Sequence, residues 1–144
     1  MTSPTLLIER QDHVLTLTLN RPERANAFNL EMTRALQRAL RAEASDPDVR
    51  CVVLRGSGNY FSAGQDLREM EQVAGESYYQ HLQQTYNPLI VQLRRLEKPV
   101  LASLRGAVAG AALGIALACD LRIAAEGTRF TVGFLGIGLV PPVN

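Results

Sequence analysis

At 144 residues the chain can build one domain around a packed core and is too short for two comfortable ones. Hydrophobic residues make up 47% and charged residues 20%, the balance of an ordinary soluble globular protein and not of a disordered or membrane-spanning one. The basic and acidic residues are interspersed and leave a formal net charge of +1, which excludes a general attraction to nucleic acid or to an anionic membrane, so an anionic ligand has to be held by local geometry.

The N-terminal stretch MTSPTLLIERQDH lacks a basic segment followed by a long apolar one, and a cytoplasmic location is expected. Residues 5–10 (TLLIER) and 13–19 (HVLTLTL) read as strands. The second alternates Val14, Thr16 and Thr18 with Leu15, Leu17 and Leu19, and the polar pair Gln11-Asp12 suits a hairpin turn. The segment NRPERANAFN is a loop ending at Asn29, a helix cap. From Leu30, the residues Met32, Ala35, Leu36, Ala39 and Leu40 recur at helical spacing, with Glu31, Arg34, Arg38 and Arg41 facing away, so an amphipathic helix is expected to end near SDPD at 45–48.

RCVVLRG at 50–56 is a continuous apolar strand of the kind buried on both faces of a sheet, which with its predecessors makes a parallel crossover unit. Residues 77–96 place Tyr79, Leu82, Tyr86, Leu89, Ile90, Leu93 and Leu96 on one helical face, with Pro88 breaking or kinking the helix. KPVLASLRG supplies another strand. AVAGAALGIALACD at 107–120 reads as a helix without a polar face, which has to be buried. The remainder gives a strand from Leu121, a turn at Glu126-Gly127 and a strand around Phe130 to Val132. No repeat, low-complexity tract or linker divides the chain, and residues 1–144 are expected to form one unit. Cys51 and Cys119 both sit in apolar runs and are expected as reduced core side chains and not as a disulfide.

Two strand-to-helix junctions stand out: FSAGQDL after the strand at 51–55, and RGAVAGAALG after the strand at 100–104. In a parallel sheet both fall at carboxyl ends of strands, where ligands bind and helix N-termini point free N–H groups outward. Two such donors converging make an oxyanion hole, and glycine and alanine let a carbonyl approach the main chain closely. Either junction alone is better read as a tight turn with close helix packing.

Taken together, LNRPERANAFN, FSAGQDLREM, KPVLASLRGAVAGAALGIALACDLRIAA and FTVGFLGIGLVP give the chain a resemblance to the crotonase superfamily, the enoyl-CoA hydratases and isomerases, over essentially its whole length. The resemblance implies an α/β fold of repeated ββα units, a mostly parallel sheet stack with flanking helices. It also implies an acyl-CoA thioester substrate, with the coenzyme entering as part of that substrate and no separate cofactor or metal. Its thioester oxygen would meet the main-chain N–H groups of Gln65 and Ala111. Arg24 and Ala25 would lie along the pantetheine and phosphates, and Ala63, Gly64, Gln65, Asp66, Leu67 and Gly110 would complete the coenzyme site. Asp66 is read as the cap of the helix that begins there, in preference to a catalytic role.

The chain departs from the family where its acids belong. The two glutamates of family hydratases match Gly114 and Phe134, and the acid that some isomerases carry after the GL-x-P turn matches Pro142, so no general base is identified. The apolar stretch 130–140 resembles the branch acting on ring-containing acyl-CoAs in phenylacetate breakdown. Family members continue into a glycine-rich turn and helices that cover the coenzyme and make trimer contacts, so the chain is expected to be a core lacking that C-terminal helical part. Isomerase-type chemistry through an enolate is the first expectation, and a non-catalytic acyl-CoA-binding or structural role is the second. A serine hydrolase built on Ser62 is disfavoured, because Tyr60 stands where a nucleophile elbow needs glycine. His13 and His81 read as solvent-facing residues, and GSGNYF lacks the third glycine of a dinucleotide loop.

Overall fold

A computed structural model describes residues 3–72 and 78–133 of the chain. Strands β1 (Leu6–Gln11) and β2 (Val14–Leu19) form an antiparallel hairpin, and β3 (Cys51–Gly56), β4 (Val100–Leu104) and β6 (Leu121–Ala124) extend it in parallel, giving the five-stranded order β1-β2-β3-β4-β6. A second, two-stranded sheet pairs β5 (Ala107–Ala109) in parallel with β7 (Arg129–Thr131). Helices α1 (Leu30–Arg41), α2 (Leu67–Gln72), α3 (Tyr78–Gln84), α4 (Tyr86–Arg95) and α5 (Ala111–Ala118) complete the described chain. This is the mostly parallel α/β architecture expected.

The period-two pattern of β2 buries Leu15, Leu17 and Leu19 completely, and α1 turns Met32, Leu36, Ala39 and Leu40 onto the same core. Helix α4 packs between α1 and α5 and adds Tyr86, Leu89 and Leu93 to it. Asn29 caps α1 as expected, its side-chain oxygen accepting from the Met32 N–H at 2.9 Å.

Five details differ from the sequence reading. The hairpin turn sits one residue later, on Asp12 and His13, because both carry positive φ (48° and 67°), the pair of left-handed residues that a two-residue hairpin turn demands. The single helix over 77–96 is two helices broken at Thr85. Pro88 lies in the first turn of α4, where its missing N–H costs nothing. Residues 107–109 belong to strand β5 and not to the helix: Gly110, at φ 57° and ψ −125°, is outside the helical region and delays α5 to Ala111. Finally, α5 is not wholly buried, for Leu117 is 59% exposed. His81 is likewise half-buried, its ring 6.0 Å from that of Tyr86 in an edge-on contact, whereas His13 is exposed as expected. Both cysteines are free.

Candidate active site

Because β3 and β4 are parallel neighbours, the segments leaving their carboxyl ends emerge side by side. Ser62 donates its N–H to Ala107 O at 3.1 Å and accepts at its own carbonyl from the Ala109 N–H at 3.1 Å, so 61–64 runs as a partner of β5. Gly64, at φ +95°, brings the chains closer still. A Cβ there would stand 2.6 Å from Ala109 O and 3.5 Å from the Ala111 nitrogen, a space that only glycine leaves free. Gly64 and Ala111 therefore face each other across this contact, and the two junctions form one corner. Gly110, the N-cap residue of α5, is held from the far side by its N–H donating to Thr131 O at 2.9 Å, so β7 fixes the approach to the Ala111 amide.

Among the described residues, neither the Gln65 N–H nor the Ala111 N–H has a hydrogen-bond partner. For Ala111 this follows from its place at the head of a helix. For Gln65 it follows from the pairing on its other side. Phe28 donates its N–H to Gly64 O at 2.7 Å and accepts from the Asp66 N–H at 2.9 Å, a parallel bridge that leaves the Gln65 amide directed away from Phe28. Ala111 is buried and Gln65 half-buried; the Gln65 Nε2 is buried with no partner among the described residues.

The loop 21–28 forms the outer wall. Arg24 ends a 3-10 turn (Pro22–Arg24) and is exposed, and Ala25, left-handed at φ 48°, accepts at its carbonyl from the Ala63 N–H at 2.9 Å. Sequence reading missed three residues here. Asn26, fully buried, donates to Ser57 O at 2.8 Å and Tyr60 O at 2.9 Å while accepting from the Arg21 N–H at 2.8 Å. Arg21 pairs with Asp66, Nη1 to Oδ2 at 3.0 Å. Glu69 accepts from the Leu30 N–H at 2.8 Å, tying α2 to the first turn of α1. Asp66 also accepts from the Arg68 N–H at 3.2 Å, as the expected cap requires. Burial opposes ionisation of Asp66, but the Arg21 guanidinium and the amides of Glu69 and Arg68 outweigh it and hold the carboxyl below its ordinary value. Beside the pair opens a cleft of about 360 Å³ whose walls include Arg21, Arg24, Asn29, Arg68 and Gln72.

The predicted site residues thus come together in two places: Ala63, Gly64, Gln65, Gly110 and Ala111 at the corner, and Arg24, Ala25 and Asp66 along the outer wall. Leu67 is 44% exposed at the start of α2. Gly114 lies in α5, where a Cβ would meet nothing within 4 Å among the described residues. Phe134 and Pro142 lie outside the described residues.

Residues 9–144 match the family described as enoyl-CoA hydratase/isomerase. The 1,2-epoxyphenylacetyl-CoA isomerase of Escherichia coli K12 is 41% identical over 131 residues, 89% of this chain and 50% of that protein. The trans-2-decenoyl-[acyl-carrier-protein] isomerase of Streptococcus mutans is 39% identical, over 94% of this chain and 53% of that protein. Among solved structures, an enoyl-CoA hydratase/carnithine racemase from Magnetospirillum magneticum superposes with a TM-score of 0.90 at 29% identity, covering 99% of this chain and 54% of that one. The chain spans about half the length of the curated relatives it matches.

Proposed function

The chain belongs to the enoyl-CoA hydratase/isomerase family and carries the first part of its fold, and on that premise we propose that it binds an acyl-CoA thioester with the carbonyl oxygen between the amides of Gln65 and Ala111. The observation that carries this reading is the pair of unengaged N–H groups on two segments that Gly64 allows into contact. Chemistry at the carbon beside a thioester passes through an enolate. Donors already aimed at its oxygen stabilise that charge without reorganising, and one such donor is worth on the order of 10²- to 10³-fold in rate. Arg24 and Arg68 line the outer cleft together with the acids Asp66 and Glu69, and in this reading the two arginines would meet the phosphates of the coenzyme, which arrives as part of the substrate. The reaction supported best is isomerase-type proton transfer through that enolate; a trimer-type homo-oligomer belongs to the intact family fold, whose C-terminal helices make the contacts, and is not proposed for this chain.

A second reading, acyl-CoA binding without turnover, is favoured by one observation. Position 114, where the family resemblance puts a hydratase glutamate, is a glycine whose Cβ would meet none of the described residues within 4 Å, while Asp66, the acid nearest the corner in sequence, is committed to Arg21. Incubation with an unsaturated or aryl-acetyl CoA thioester in deuterated water, followed by NMR, separates the two. Exchange at the carbon beside the thioester requires a base and supports isomerase chemistry. Saturable binding without exchange supports the second reading, and no binding overturns both.

A further inference from the structure

We infer that the Arg21–Asp66 ion pair is a positioning device for the Gln65 amide, an inference that rests on the reading of the corner as a thioester site. Arg21 Nη1 donates to two acceptors at once, Ala27 O at 2.6 Å and Asp66 Oδ2 at 3.0 Å. Both side chains are largely withdrawn from water, at 15% and 12% exposure, so screening is weak and neither charge can be left unpaired cheaply.

The pair acts on the residue next to the donor. Gln65 has no hydrogen bond of its own main-chain N–H to hold it among the described residues; its orientation is inherited from Gly64 and Asp66, which Phe28 grips on either side. Phe28 belongs to the loop 21–28, and that loop closes on itself through the Asn26 N–H to Arg21 O, at 2.9 Å, and the Arg21 N–H to Asn26 Oδ1, at 2.8 Å. Arg21 then reaches across to Asp66. The clamp is thus a closed circuit, from Arg21 through Ala27 and Phe28 to Asp66 and back through the ion pair. Gln65 stands between Gly64 and Asp66, the two residues that Phe28 holds, with its amide directed away from Phe28. Opening the circuit at the ion pair removes the one side-chain tie on Asp66 from the loop 21–28 and leaves the main-chain bonds, the Phe28 bridge and the Ala63 N–H to Ala25 O, to set the direction of that N–H. Neither Arg21 nor Asp66 needs to touch the reacting atoms for this role.

Asp66→Asn keeps the size and the capping oxygen while removing the charge, and Arg21→Lys keeps the charge while losing the planar fork that serves two acceptors. In the free chain, amide hydrogen exchange at Ala63 and Asp66 should accelerate about tenfold in Asp66→Asn and less in Arg21→Lys, with the amides of β2 unchanged. With cinnamoyl-CoA bound, polarisation of the thioester by the corner should red-shift its absorption. That shift, per ligand bound, should fall by about half or more in Asp66→Asn and be partly restored in Arg21→Lys. Unchanged exchange at Ala63 and Asp66 overturns the inference. Faster exchange with a full red shift overturns it as well, because the pair would then hold the fold without aiming the donor. A wild-type chain that binds cinnamoyl-CoA without any red shift overturns the oxyanion reading itself, while the exchange rates, taken without ligand, still decide whether the pair holds the segment. If Asp66→Asn does not fold, Arg21→Lys carries both measurements.

Discussion

At the scale of single residues, the corner makes unequal demands on its two donors. Ala111 is the first residue of α5, a position where proline is well tolerated because the N–H there bonds to nothing within the helix. Ala111→Pro should therefore fold, with a melting temperature close to that of the wild type, and lose the red shift and any exchange activity. Gln65→Ala keeps its N–H and removes a side-chain amide buried without a partner, so both signals should stay within about threefold of wild type. Equal effects of the two changes would count against the corner. The same scale sets a pH dependence. The Asp66 carboxyl is held below its ordinary value near 3.8, so its contribution is complete above that value and is lost as pH falls through the lower folded-state value. The stability difference between wild type and Asp66→Asn in urea, about 1–3 kcal/mol at neutral pH, should be flat above about pH 5 and close below pH 4. The two junctions stood out in the sequence by their small residues, but it is the family resemblance that singles out the amides of Gln65 and Ala111 within them. Arg21 and Asn26 were not legible, since their partners lie 45 and between 31 and 34 residues away and no local pattern marks a polar side chain that a distant loop will bury.

At the scale of elements, strong periodicity was readable and weak periodicity was not. The alternation of β2 and the spacing of α1 each select one face, and the structure buries that face. In AVAGAALGIALACD every residue before the terminal Asp is small or apolar, so strand and helix look alike; what divides β5 from α5 is the conformation at Gly110. Within α5, Gly114 is a helix-interior glycine without positive φ, and its Cβ would meet nothing within 4 Å among the described residues. Gly114→Ala should raise unfolding free energy by about 0.5–1 kcal/mol, measured by urea denaturation. Gly114→Glu tests function at the same place. Three residues beyond Ala111, it shares that residue's face of the helix. A carboxylate there should raise deuterium exchange of a bound thioester above the wild-type level with no loss of stability. A stable Gly114→Glu chain whose exchange does not rise would show that the α5 face does not look onto the thioester.

At the scale of the whole molecule, the two ends of the large sheet are finished differently. The β1 edge carries charge: Arg10 there pairs with Glu43 at 2.7 Å and Asp46 at 3.0 Å, groups that discourage strand addition. The β6 edge has no such protection on its apolar positions. Leu121 and Ile123 are 59% and 62% exposed, and Leu117 on α5, Phe130 on β7 and Val132 just past β7 are each more than half exposed. Scattered exposed apolar residues are ordinary, but five on or next to three consecutive elements, beside a strand that is unpaired on one side among the described residues, make a surface suited to association. Light scattering and sedimentation velocity should therefore show association that grows with protein concentration and persists in high salt, because the attraction is not ionic. Ile123→Lys places a charge on the exposed side of the edge strand without touching the core, so it should suppress that association while changing unfolding free energy by only about 0.5 kcal/mol. Association of Ile123→Lys at wild-type strength would move the contact to another surface, and a matched Ile8→Lys change on β1, at a residue 47% exposed, provides the comparison that locates it.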